Sequence, residues 1–159
     1  MRKIENVVIH CSDSEWGCAR EIRNWHLKRG WDDIGYHFVI LNGNPTFKHA
    51  PNVVSIPALD GSIECGRYLD EDMFMSKKEI GSHALGLNDS SIGVCLIGVK
   101  DFTKFQMTAL KNLCRNIIEL YEIKIEKFLG HYETASGKEQ GKTCPNFDMK
   151  EFRVLLKGG

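Results

Sequence analysis

The sequence lacks long apolar runs, an excess of either charge, and the closely spaced Cys or His pairs of common metal motifs. No stretch approaches the roughly 20 apolar residues of a membrane-spanning helix, so we expect no membrane insertion. Lysine plus arginine and aspartate plus glutamate each total 21, which leaves no basic surplus for nucleic-acid binding. The N-terminal segment MRKIENVVIHC is interrupted by Glu5 and Asn6 and does not fit a signal peptide, so we expect synthesis in the cytoplasm.

Two familiar kinds of cysteine and histidine chemistry are also missing. The six cysteines include no C-x-x-C pair, and without a secretion signal a disulfide framework is disfavoured. Cys95 lies in an apolar run and Cys114 on an apolar helix face, as small core residues do. No H-E-x-x-H segment supplies the glutamate base that many zinc hydrolases use.

What is present is an alternation of short apolar strands and amphipathic helices, which indicates one α/β domain over residues 1–159. The run SIGVCLIGV is typical of a central strand that is covered on both faces. Helices are predicted from about residue 18 to 29, after a capping box of Thr103 and Gln106, and after Asp148, with Phe147 and Phe152 as a hydrophobic staple. Further strands are predicted at NVVIHC, GYHFVIL, GSIEC and EKFLG.

One long excursion is predicted at about 42–60, where three of the four prolines and many other turn formers lie. A second lengthy stretch, YLDEDMFMSKK, precedes the segment EIGSHA. We expect both stretches to wall the functional site.

Three residues that could bind a metal occupy similar settings. His10 ends the first apolar strand, His131 ends a late strand, and Cys144 precedes the last helix. Sites gather at strand ends in α/β proteins. Two imidazoles and a thiolate form a suitable zinc set with an open fourth position for water.

The spacing of these three residues does not by itself establish a metal site. It matches no local metal-binding pattern, and ordinary structural roles account for it as well: a core histidine, a turn histidine and a buried thiol. A cysteine hydrolase, with Cys144 as nucleophile and a histidine as base, is a further alternative.

Six segments in order resemble the zinc-dependent N-acetylmuramoyl-L-alanine amidases, whose fold is related to the peptidoglycan recognition proteins. The segments are VVIHCS, REIRNWH, GWDDIGYHF, GSHALGLNDSSIGVCLIG, GHYE and KTCPNFD. They are especially similar to the bacteriophage lysozyme-type amidases. The resemblance implies a single α/β domain with a central mixed β-sheet flanked by helices, the amidase type 2 fold.

The resemblance also implies roles for individual residues. His10, His131 and Cys144 are expected to bind Zn²⁺, with Tyr36 and Lys142 as catalytic residues. His83 is expected to contact the substrate. No further cofactor is implied.

The remaining candidates are expected to be structural. His37 points away from Tyr36 if its strand is regular, and His26 lies beside Trp25 on a helix. Alternation along the first strand sends Cys11 to the face opposite His10, so it is not expected to be a ligand.

The implied activity is hydrolysis of the amide between N-acetylmuramic acid and L-alanine in peptidoglycan or muropeptides. A phage endolysin that reaches the wall after release fits best. The alternatives are a cytoplasmic muropeptide-recycling amidase and a non-catalytic peptidoglycan-binding module on the same fold, although such modules typically lack the zinc cysteine. We expect a monomer.

Overall fold

The computed structural model describes residues 1–49 and 55–158, and its strands form a mixed sheet. In chain order the strands are β1 (Arg2–Lys3), β2 (Asn6–Cys11), β3 (Phe38–Asn42), β4 (Asp60–Cys65), β5 (Phe74–Met75), β6 (Ser91–Leu96) and β7 (Phe128–Gly130). Five of them form the central sheet in the order β4-β3-β6-β2-β7. Its neighbours are parallel except at the edge pair of β3 and β4, which is antiparallel. The predicted central mixed sheet is thus confirmed.

Four α-helices accompany the sheet in the described ranges: α1 (Ala19–Lys28), α2 (Lys104–Tyr121), α3 (Ala135–Glu139) and α4 (Met149–Lys157). No helix within those ranges combines the length and apolarity needed to cross a membrane. Strands β1 and β5 form a separate antiparallel pair that the sequence patterns did not predict.

The two faces of the sheet carry separate apolar clusters because side chains alternate along each strand. In β3, Ile40 packs in the cluster that contains residues of α2 and α4. Its neighbours Val39 and Leu41 pack on the other face with Ile22 of α1. Every residue of β2 and β6 is buried, as expected for central strands that helices cover on both sides.

Two helix starts match their sequence signals. Thr103 Oγ1 accepts a hydrogen bond from the Gln106 amide at 3.0 Å, and the Gln106 side chain accepts one from the Thr103 amide at 3.1 Å. At the start of α4, Asp148 accepts from the amide of Lys150 at 2.6 Å. The capping box and the cap of the last helix are therefore confirmed.

Two boundaries differ from the predictions. The strand predicted at GYHFVIL begins only at Phe38, so Tyr36 lies in the loop before it. Residues 50–54 of the predicted excursion lie outside the described residues, and its described parts include short 3-10 helices at Phe47–His49 and Pro57–Leu59.

Candidate metal centre

The sheet brings two histidines together at the carboxyl ends of neighbouring strands. In the parallel pair β2–β7, Ile9 is in register with Gly130. The residues that follow, His10 and His131, therefore lie side by side, with ring centroids 4.6 Å apart. His10 is only 1% exposed, so its ring is fixed by the core around β2.

Cys144 joins these histidines from the connection between α3 and α4. Its Sγ lies 3.4 Å from Nδ1 of His131 and 3.9 Å from Nδ1 of His10. The backbone helps to hold it there, because the amide of Tyr132 donates to the Cys144 carbonyl at 3.1 Å. All three potential ligand atoms lie within 4.8 Å of one another.

These separations fit a zinc ion. Tetrahedral zinc with ordinary bond lengths places a nitrogen and a sulfur ligand about 3.6 Å apart. The two nitrogen–sulfur distances of 3.4 and 3.9 Å lie on either side of that value. Two nitrogens and one sulfur are also a donor set that zinc accepts in proteins, with a fourth position left for solvent or substrate.

The protonation chemistry of these groups suits the same ion. Burial lowers the pKa of His10 well below its ordinary value, and nearby cationic groups such as Lys142 lower it further. Burial likewise lowers the pKa of His131. Both imidazoles are therefore neutral at physiological pH, which is the form that binds metals. A hydrogen bond with Cys11, together with burial, raises the pKa of the Cys144 thiol, so metal binding would release its proton.

His83 holds the ring of His10 in the orientation that a ligand needs. Its Nδ1 lies 3.1 Å from Nε2 of His10, and its own Nε2 lies 3.4 Å from the carbonyl of Ser91. If His10 donates through Nε2, its Nδ1 lone pair is free to face Cys144. Outer partners of this kind fix the tautomer of metal-bound histidines. The sequence interpretation assigned substrate contact to His83 and missed this pairing.

Tyr36 and Lys142 flank the three candidate ligands. The Tyr36 ring lies 5.1 Å from the ring of His10, between centroids, and burial raises the pKa of its phenol well above 10. Lys142 is exposed and lines the same groove as Tyr36 and His131. The phenol is thus a protonated donor at neutral pH.

A groove of about 460 Å³ opens onto this centre, and we call it the polar groove. It is lined by His26, Arg29, Trp31, Tyr36, Ser82, His83, Ala84, Leu85, Asn88, His131, Gln140 and Lys142. His83 does lie in its wall, so the position expected for it is compatible with substrate contact. No described residue of the excursion at 42–60 or of YLDEDMFMSKK lines it, contrary to the expectation that both stretches wall the site.

The other histidines have structural partners. His37 is buried, with Nε2 2.7 Å from the Glu79 carbonyl and Nδ1 accepting from the Gly93 amide at 2.9 Å. His26 accepts from the Gly35 amide at 3.0 Å. Both residues therefore have hydrogen-bond partners within the fold, although His26 also lines the polar groove.

Cys11 is buried and does not belong to the group of three candidate ligands. Alternation alone, however, overstates its separation from the site. Its Sγ accepts a hydrogen bond from the Asn146 side chain at 3.5 Å, and it interacts with Cys144. The reason is that Cys11 is the last residue of β2, and the turn of 144–146 packs against that strand end.

The fold and this cluster together define a mixed α/β domain with a candidate metal site at the carboxyl ends of its strands. An N-acetylmuramoyl-L-alanine amidase, LysC of Clostridium intestinale, has a solved structure that matches with a TM-score of 0.70 at 25% identity, across 98% of this chain and 87% of that one. Drosophila PGRP-LB matches with a TM-score of 0.58 at 26% identity, across 94% of this chain and 85% of that one.

Sequence comparison identifies the family. Residues 1–147 match the family described as N-acetylmuramoyl-L-alanine amidase. The chain is also 34% identical to the endolysin of Escherichia phage T7 over 157 residues, which covers 92% of this chain and 83% of that protein. The chain therefore belongs to the N-acetylmuramoyl-L-alanine amidase family and is a peptidoglycan amidase, as the sequence resemblance predicted.

Proposed function

We propose that the chain is a zinc-dependent amidase in which His10, His131 and Cys144 bind the metal. The cluster of three ligand atoms within 4.8 Å carries this proposal, because nothing in the packing of a core requires two histidines and a thiol to converge. When bound, zinc would acidify water and polarise the substrate carbonyl. The cleaved bond is the amide that links the lactyl group of N-acetylmuramic acid to L-alanine.

Two side chains of the chain would carry the remaining chemistry. Amide hydrolysis develops negative charge on the carbonyl oxygen, and the exposed ammonium of Lys142 would face it. The Tyr36 phenol remains protonated, since burial raises its pKa, and it would donate a hydrogen bond to the substrate. His83 acts on His10, holding its Nε2, and also forms part of the groove wall.

The test is digestion of purified peptidoglycan with and without a chelator. We expect new free L-alanine amino termini, no new reducing sugar ends, loss of activity with the chelator and recovery with added zinc. New reducing ends would instead identify a glycosidase. Metal analysis adds a second measurement, because a binding module without the zinc site would hold no stoichiometric zinc.

The same experiment separates the zinc enzyme from a cysteine hydrolase that uses Cys144 as its nucleophile. A cysteine hydrolase would survive the chelator. The geometry favours the zinc enzyme, because a cysteine nucleophile needs one histidine base, whereas nitrogens of two histidines face the Cys144 sulfur at 3.4 and 3.9 Å.

We further propose that this amidase acts as a phage endolysin on the cell wall after release and works as a monomer. Similarity to endolysins of Escherichia phage T7 and Enterobacteria phage T3, each at 34% identity, supports this setting. A cytoplasmic muropeptide-recycling enzyme is the alternative. It would cleave soluble muropeptides but leave intact sacculi undigested, so turbidity loss of a sacculus suspension distinguishes the two.

A further inference from the structure

A second groove begins on the other side of Lys142. It measures about 490 Å³ and is lined by Tyr132, Lys142, Thr143, Asn146 and Phe147, and we call it the aromatic groove. Lys142 also lines the polar groove, so the two grooves meet beside the metal centre. Tyr132 directly follows His131, and Thr143 directly precedes Cys144. Two residues that line the aromatic groove are therefore direct chain neighbours of candidate ligands.

The two grooves differ in chemistry. Apart from Lys142, the polar groove carries a second fixed cation, Arg29, and three histidines. The aromatic groove presents the rings of Tyr132 and Phe147 beside Thr143 and Asn146. This groove is shallow and open, so a ligand there would lie against the rings rather than be enclosed by them.

Two polar side chains of the aromatic groove could still form hydrogen bonds to a ligand. Asn146 uses its amide nitrogen to donate to the Val99 carbonyl at 2.6 Å. Within residues 1–49 and 55–158, its Oδ1 and the hydroxyl of Thr143 make no hydrogen bond. Both are exposed residues, so an acceptor and a hydroxyl are available beside the two rings.

We propose that the aromatic groove binds the N-acetylmuramoyl part of the substrate, with Tyr132 and Phe147 against the sugar and Thr143 and Asn146 on its polar groups. This inference rests on the proposed amidase function. The scissile amide joins a sugar-bearing half to a peptide half, and the two halves must leave the metal centre by different paths. A sugar offers apolar C–H faces and an acetyl methyl to the rings, whereas the amides and carboxylates of a peptide suit the polar groove.

The test compares two substrates that share the scissile amide and the same stem peptide. One carries N-acetylmuramic acid, and the other carries only the D-lactyl group. Wild-type enzyme should cleave the muramoyl substrate with the higher kcat/KM. If it cleaves neither substrate, the proposed amidase function fails. If it cleaves both equally well, the amidase stands and the sugar site is overturned.

Phe147→Leu removes one ring from the groove while keeping an apolar side chain in the core. We expect kcat/KM for the muramoyl substrate to fall about three- to tenfold, with less than a twofold change for the lactyl substrate. The matched control is Phe102→Leu. Phe102 packs against Phe147 with centroids 5.9 Å apart but does not line the groove, so it reports the packing loss alone.

A second variant avoids the core altogether. Thr143→Val replaces the exposed hydroxyl by a methyl group of the same shape and should also weaken only the muramoyl substrate. The proposal is overturned if Phe147→Leu and Thr143→Val weaken both substrates equally or neither, or if Phe102→Leu shows the same sugar-selective loss as Phe147→Leu.

Discussion

The proposed zinc ligands are supported by two different regions of the molecule. His10 and His131 follow paired positions of two parallel strands, where the hydrogen-bond ladder and the core fix the backbone. Cys144 lies on a turn between the short helix α3 and α4, outside any strand. The sheet thus sets two ligand positions through many contacts, whereas the third depends on a few local hydrogen bonds.

The two regions are therefore expected to be sensitive to the loss of different supporting contacts. The His10 ring needs an outer partner to set its orientation, and His83 provides one. The position of Cys144 needs its turn to be held, by the Tyr132 amide on one side and by the capped start of α4 on the other. Substitutions ranked by expected effect separate the contribution of the ligands themselves from that of their supports.

The largest effect is expected when the turn-borne ligand itself is removed. Cys144→Ser replaces a thiolate ligand with a hydroxyl that stays protonated, so zinc should be lost and activity should fall at least about 10³-fold. Metal analysis and peptidoglycan digestion measure the two effects. Cys65→Ser is the control, since Cys65 is an exposed free thiol away from the cluster. Full activity in Cys144→Ser would remove this residue from the metal centre.

The second-largest effect is expected when the positive charge of Lys142, two residues before Cys144, is removed. Lys142→Ala should lower kcat about 10²- to 10³-fold, as loss of an oxyanion-stabilising donor does, while zinc content stays stoichiometric. Lys138→Ala removes an exposed lysine of α3 that lines neither groove and should behave as wild type. A zinc-loaded Lys142→Ala enzyme with normal kcat would show that the ammonium does not face the oxyanion.

Much of this contrast could be predicted from the sequence, because local signals mark both regions. The buried strand NVVIHC and the Asp148 cap each follow from short patterns, and both are present as β2 and the start of α4. Patterns could not place His10 beside Cys144, since that depends on the order of strands in the sheet. The family resemblance, rather than spacing, supplied that step.

The remaining differences between the sequence predictions and the structure also arise from contacts between residues that are distant in the chain. The pairing of His83 with His10 joins positions 73 residues apart, and no local pattern encodes a contact of that range. Strand alternation likewise placed Cys11 away from the site, although the turn that carries Asn146 folds over the end of its strand. Tertiary contacts between loops and strand ends decided both outcomes.

A smaller effect is expected from the support of the sheet-borne ligand. His83→Phe keeps an aromatic ring in the wall but removes the acceptor for His10 Nε2, so zinc affinity should fall about 10- to 100-fold. The matched variant is His37→Phe, which removes a buried histidine that bonds to the backbone of Gly93 and Glu79 instead. Competition with a chromogenic chelator measures both affinities. Equal losses in the two variants would mean that His83 acts only through general stability.

The smallest effect is expected from the support of the turn-borne ligand. Asp148→Ala removes the cap of α4 and should lower the free energy of unfolding of the metal-free protein by about 1 kcal/mol. Thr103→Ala removes the cap of α2, which is not adjacent to any candidate ligand in the chain, and should cost a similar amount. Urea unfolding of the metal-free variants establishes that match.

Only Asp148→Ala should also weaken zinc binding, because Asp148 lies four residues after Cys144. The loss should be less than about tenfold, since Asp148 acts less directly than a hydrogen-bond partner of a ligand. Equal zinc affinities in the two variants would show that the Cys144 turn is held independently of the helix that follows it.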